Sequence, residues 1–177
     1  QESLPITRVL LESSANVNCQ DDQGCTPLID AVCSNISLLR TVLDARGDVN
    51  HAMIDGTTAL FQAAREGHAA CITMLFEHRA SLNMCGVQDP DALKQCDEDP
   101  DSVAGISPIN EAAINGQHTI VTLLAHLGAK LHDDLGRPVT DYLKGGRDRR
   151  VYRSIIEGGG DEDTESSRSR RVEMLVS

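Results

Sequence analysis

The chain has 177 residues, 27 acidic against 16 basic side chains, a formal net charge of −11 and an aromatic content of 2%. So acidic a surface repels a phosphate backbone, and with Phe61, Phe76, Tyr142 and Tyr152 as the whole aromatic complement it also lacks base-stacking platforms. No apolar run approaches the roughly 20 residues of a membrane-spanning helix, and no signal peptide is visible, so no membrane insertion is expected.

Leu4 to Ser13 opens the chain with apolar residues at helical spacing and runs into Ala15-Asn16-Val17-Asn18. Gly24 then precedes Thr26-Pro27-Leu28-Ile29-Asp30-Ala31-Val32. A hydroxyl able to accept from the free N–H groups of a helix start is followed there by a proline whose missing N–H costs nothing, so a short helix is predicted. Asn35 is expected to make a positive-φ turn into a second helix, Ser37 to Ala45, whose Leu38, Leu39, Val42 and Leu43 form an apolar stripe; Gly47-Asp48-Val49-Asn50 follows.

The same order returns from Gly56: Thr58-Ala59-Leu60-Phe61-Gln62-Ala63-Ala64, a turn at Gly67, a helix over Ala69 to Arg79, then Ala80-Ser81-Leu82-Asn83. It returns again from Gly105: Ser107-Pro108-Ile109-Asn110-Glu111-Ala112-Ala113, Gly116, a helix over His118 to Leu127, and Gly128-Ala129-Lys130-Leu131. Ser14, Arg46 and Arg79 stand where the last unit has Gly128; a left-handed backbone there costs each roughly 1 to 2 kcal/mol.

Between the last two units lies an insertion with Asp89, Asp91, Asp97, Glu98, Asp99 and Asp101 against Lys94. It reads either as a flexible acidic tongue or as a loop that helps engage a basic partner. Gly136 to Leu143 looks like a degenerate further unit, and its second helix, Arg149 to Glu157, has the polar surface of a cap. Residues 158–177 change from acidic to basic with few apolar side chains and are expected to be a disordered tail, in which Arg168-Ser169-Arg170-Arg171 suits a basic-directed kinase or an import receptor.

The repeated motif, most regular from Asp55 through Asn83, resembles the ankyrin repeat. The resemblance covers residues 4 to about 157 apart from the insertion. It implies an all-α solenoid of stacked helix-turn-helix units joined by β-hairpin-like loops, in which no repeat folds alone. The units are placed at 1–20, 21–52, 53–84 and 102–132, with a cap at 133–157 and the acidic insertion at 85–101. The first unit has no first helix and the chain begins with Gln1, so a fragment is expected, with Leu4, Ile6, Val9 and Leu10 as an exposed apolar edge.

In function the resemblance implies a non-catalytic module that binds another protein through its concave groove, lined by hairpin tips and first helices. The matching tip positions are Asp22, Gln23 and Cys25, then Ile54, Asp55 and Thr57, then Val103, Ala104 and Ile106. The first-helix positions are Asp30, Cys33 and Ser34, then Gln62, Arg65 and Glu66, then Glu111, Ile114 and Asn115. Asp30, Gln62 and Glu111 share one register, which predicts an outward-facing, partly acidic row. The alternative is the targeting or regulatory region of a larger enzyme: a kinase, an acyltransferase or a ubiquitin-ligase adaptor.

No cofactor, metal or small-molecule substrate is expected. His68 and Cys71 lie one helical turn apart but make two ligands where a site needs three or four, and no G-x-S-x-G elbow accompanies a nucleophile. The six cysteines show no C-x-x-C spacing, and Cys33 and Cys71 fall inside predicted helices, which fits reduced thiols in a cytoplasmic or nuclear setting. Asparaginyl hydroxylases modify the asparagine ending the Asp-Val-Asn turn of similar repeats, so Asn50, and after it Asn18, is the expected acceptor.

Overall fold

The computed structural model describes residues 3–85, 106–132 and 138–139. The predicted cap helix over 149–157, the tail, nearly all of the insertion, and Val103 and Ala104 lie outside the described residues. Seven helices are described: α1 (Ser3–Glu12), α2 (Pro27–Ser34), α3 (Ile36–Asp44), α4 (Ala59–Glu66), α5 (Ala69–Glu77), α6 (Pro108–Ile114) and α7 (His118–Leu127). The first helices α2, α4 and α6 pack side by side as one layer, and α1, α3, α5 and α7 form the other. Each first helix also packs on the second helix of its own unit, so the array is two helices deep.

The helix starts differ in how they are held. Thr58 Oγ1 accepts from Phe61 N–H (3.1 Å), the predicted cap. Thr26 and Ser107 make no such bond, and their hydroxyl oxygens are buried without a partner. Pro27 and Pro108 at the first helical position set the opening turn there through their fixed φ. Asn35 also departs from expectation: its φ of −165° is extended, not left-handed. This unit is one residue short, so Asn35 ends α2 and caps α3 at once, its Oδ1 accepting from Ser37 N–H (2.7 Å), and α3 begins one residue earlier than predicted. Where the full-length turn exists, Gly67 has φ +80°, and a Cβ there would lie 2.6 Å from Gln117 Oε1 of the next unit.

Burial follows the repeat register. Leu28, Leu60, Ile109 and Val139 occupy equivalent places and are all closed to solvent, Val139 extending the core beyond the fourth unit. Val139 N–H donates to Leu131 O (2.8 Å), and His132 pairs with Pro138, so the chain turns back onto the array as Ala52 and Thr58 do in the third unit. On α1, Ile6, Val9 and Leu10 are 62%, 60% and 53% exposed, as expected for a second helix with no first helix against it; Leu4 is half-buried and does not belong to that edge.

After the second helices, Ser14, Arg46 and Arg79 have φ of 64°, 64° and 68°, in line with Gly128 at 95°. Arg46→Gly is therefore expected to raise the urea midpoint, through a gain in unfolding free energy of about 0.5–1 kcal/mol after the extra entropy that glycine gives the unfolded chain. A lower midpoint in equilibrium unfolding would mean that the arginine side chain contributes more than its backbone strain removes.

Adjacent units are also joined by asparagine carboxamides. Asn18 Oδ1 accepts from Asp48 N–H (2.8 Å), Asn50 Oδ1 from Ser81 N–H (2.7 Å) and Asn83 Oδ1 from Lys130 N–H (2.8 Å). These bonds span 30, 31 and 47 residues of chain. The third spans the insertion, so the extra length is accommodated without disturbing the inter-repeat bond.

Candidate functional site

The hairpin tips are built by short-range bonds from aspartates. Asp21 Oδ1 accepts from Gln23 N–H (2.9 Å) and Cys25 N–H (2.8 Å), and Asp55 Oδ1 accepts from Thr57 N–H (2.9 Å). Neighbouring tips are tied together: Ile54 N–H donates to Gln23 O (3.1 Å) and His51 Nε2 to Gly24 O (2.9 Å). These bonds hold Ile54 with its side chain 71% exposed, beside the exposed Asp22 and Gln23 and the half-buried Asp55. Thr57, expected on the surface, is buried where the hairpin closes onto the helix below.

On the inner layer Asp30, Cys33, Ser34, Arg65, Glu66 and Asn115 are exposed, while Ile106 and Ile114 are half-buried. The predicted outward row does not form. Asp30 is exposed, but Gln62 is buried and Glu111 is only 5% exposed. Gln62 lies against the preceding unit, its Nε2 donating to Cys33 Sγ (3.2 Å) and Glu66 Oε1 (3.3 Å) while its Oε1 accepts from Arg65. Glu111 Oε1 accepts from Asn115 Nδ2 (3.0 Å). The shared register is real; side-to-side packing of the first helices covers its later members, so position alone does not give exposure. Arg65 and Glu66 approach to 3.9 Å, a pair too solvated to hold the surface rigid.

A family model described as ankyrin repeats in three copies matches residues 1–85 and again 47–134. The chain belongs to the ankyrin-repeat family. Among similar proteins, the probable E3 ubiquitin-protein ligase XBOS32 of Oryza sativa subsp. japonica is 28% identical over 142 residues, covering 71% of this chain and 29% of that protein. Neurogenic locus notch homolog protein 1 of Xenopus laevis is 38% identical over 76 residues, covering 42% of this chain and 3% of its own length. The RelA-associated inhibitor of Mus musculus is 36% identical over 84 residues, 45% of this chain and 10% of that one. The chain thus spans less than a third of each of these relatives. Ankyrin repeats are protein-interaction modules.

One histidine of the ankyrin array is engaged in its construction. His68 Nδ1 donates to Val32 O (3.1 Å) across the repeat boundary, which occupies one of the two ring nitrogens of the His68–Cys71 pair. No group of three or more His, Cys, Asp or Glu suited to a metal ion occurs among the described residues, and no described helix is long and apolar enough to cross a membrane. Among the described residues, Cys19, Cys25, Cys33, Cys71 and Cys85 form no disulfide. Burial, and then Cys33 nearby, push the Cys71 thiol up; burial, and then the charges of Asp21 and Asp30 and nearby Cys33, do the same for Cys25 against a small opposing bond to Asp30. Both shifts disfavour the thiolate, the nucleophilic form of the side chain.

Asn50 is exposed, yet its carboxamide is bound at both ends, with Oδ1 on Ser81 N–H and Nδ2 donating to Arg79 O (3.4 Å). The structural roles of Asp21, His51 and Gln62 were not predicted from sequence. Each bond joins a side chain to a partner set by backbone geometry or by the neighbouring unit, and the repeat motif carries no mark of it.

Proposed function

We propose that this chain is a non-catalytic module that holds a partner protein along the inner layer and the hairpin tips. Ile54 carries the reading: one large apolar side chain, 71% exposed on a tip fixed by backbone bonds and bordered by polar residues, has the character of an interface anchor. Asp22, Gln23, Asp30, Ser34, Asp55, Arg65, Glu66, Ile114 and Asn115 extend that surface across three repeats, with the repeats at 1–20, 21–52, 53–84 and 102–132 acting as one domain. The lack of a disulfide among the five described cysteines supports a reducing, intracellular setting, and the net charge of −11 disfavours nucleic acid.

A photoreactive side chain placed at Ile54 or Asp30 is expected to capture one common protein from cell extract, and Ile54→Asp to abolish capture from the Asp30 position while leaving the far-UV spectrum unchanged. The controls are Arg40 and Glu77, exposed on α3 and α5. Capture from the control positions alone would assign binding to the outer layer and end this reading.

A second reading has its own support. Two ubiquitin-protein ligases, of Oryza sativa subsp. japonica and Arabidopsis thaliana, match 71% and 50% of the chain. On this reading the same groove recruits the target of a larger enzyme whose catalytic part lies elsewhere. The reading frame on either side of the 177 residues decides between the two.

Asn50 is further proposed as a hydroxylation acceptor, with Asn18 second. The exposed position supports it, while the two carboxamide bonds require the turn to open before the β-carbon is reached. Incubation with an asparaginyl hydroxylase, 2-oxoglutarate and iron is expected to add one oxygen to the Asn50 peptide in mass spectrometry. An unmodified Asn50 retires the idea.

A further inference from the structure

The turns that follow the second helices share one register, and the third lacks a clasp that the first two possess. In the first, Asn16 Oδ1 accepts from Asn18 N–H (3.0 Å) and Cys19 N–H reaches Asn16 O (3.3 Å). In the second, Asp48 Oδ1 accepts from Asn50 N–H (3.1 Å) and His51 N–H reaches Asp48 O (3.4 Å). The third has Ser81 at this place. Its hydroxyl receives no bond from Asn83 N–H, and Met84 N–H does not close onto Ser81 O.

The Ser81 backbone is nevertheless fixed, because its N–H donates to Asn50 Oδ1 (2.7 Å) and the Arg79 carbonyl accepts from Asn50 Nδ2 (3.4 Å). Ser81 is half-buried, and His78 and Arg79, three and two residues before it, are exposed. The missing part of the clasp is an acceptor with longer reach than a hydroxyl, which the Asn16 carboxamide and the Asp48 carboxylate supply in the first two turns.

We propose that Ser81 is a phosphoacceptor for a basic-directed protein kinase, and that its phosphate closes this turn as the Asp48 carboxylate closes the turn one repeat earlier. The kinase supplies ATP: Ser81 Oγ forms the new O–P bond, the bridge between the β- and γ-phosphates breaks, ADP leaves, and the hydroxyl proton passes to the kinase's base. Phosphoserine carries nearly two negative charges and three strong acceptor oxygens. Asn83 N–H, two residues on, stands where Asn50 N–H donates to Asp48 one repeat earlier. The modification tightens the turn from which the chain enters the insertion, and it does so whether or not the inner layer binds a protein.

The test treats the folded protein with the catalytic subunit of a cyclic-nucleotide-dependent kinase and magnesium ATP, maps phosphate by tandem mass spectrometry, and measures amide exchange. Phosphate is expected on Ser81 and absent from Ser81→Ala. Both the phosphorylated protein and Ser81→Asp are expected to slow exchange at the Asn83 amide about tenfold, while Ser81→Ala leaves it unchanged. Phosphate confined to other sites such as Ser169 overturns the assignment of the acceptor. Unchanged or faster exchange at Asn83 in Ser81→Asp, in a variant whose melting curve shows it folded, overturns the closing of the turn.

Discussion

Leu75→Ala is expected to lower the unfolding free energy by about 2–5 kcal/mol, and Leu10→Ala by less than about 0.5 kcal/mol, although the two leucines occupy the same place in the repeat. Each lies four residues before a left-handed turn residue, Arg79 and Ser14 respectively. Leu75 on α5 is fully buried, with α4 of its own unit packed against that helix. Leu10 on α1 is 53% exposed, and the helix that α1 packs closely against is α3. Truncating Leu75 removes its transfer free energy and leaves a cavity, whereas truncating Leu10 removes area that water already reaches. Equilibrium urea unfolding of both variants checks this. An equal loss at Leu10 would show that the exposed face of α1 is covered in solution.

The next largest effect has the opposite sign. Asn110→Leu is expected to stabilise the fold by about 1–3 kcal/mol, because the Asn110 side chain is fully buried and neither its Oδ1 nor its Nδ2 has a hydrogen-bond partner. The equivalent places in the two preceding units are filled by Ile29 and Phe61, both buried, so the site belongs to the apolar core and leucine approximates the asparagine volume. Ser107 Oγ, just before the same helix, is likewise buried without a partner, and it remains so in the variant. Differential scanning calorimetry reads the change as a higher Tm; a lower one would mean that the carboxamide is satisfied in solution.

The architecture was legible because its signals are local and repeated. Gly24 and Gly56, the hydroxyl helix starts and the 3.6-residue stripes each state one short-range requirement, and units that agree strengthen one another. The left-handed turns at Ser14, Arg46 and Arg79 could be inferred because Gly128 marks the same position. Asn35 was misread by that same analogy, since a unit shortened by one residue has no position left for a positive-φ turn. The binding surface was less legible. Register placed Glu111 and Gln62 beside Asp30, but exposure depends on how closely adjacent first helices pack, and small residues such as Ala63, Ala64, Ala112 and Ala113 bring them together. That is a relation between units, and a motif read one unit at a time does not contain it.

The asparagine carboxamides that bridge successive units also define how the array would bear a mechanical load. Because each bond joins a turn to the equivalent turn of the next unit, end-to-end tension passes through Asn18, Asn50 and Asn83 in series, and stretching one step transfers force only to its neighbours. The bond from Asn83 to Lys130 shunts that tension past the intervening 47-residue span. Rupture of this bond would release a longer discrete extension than the 30- and 31-residue steps can match.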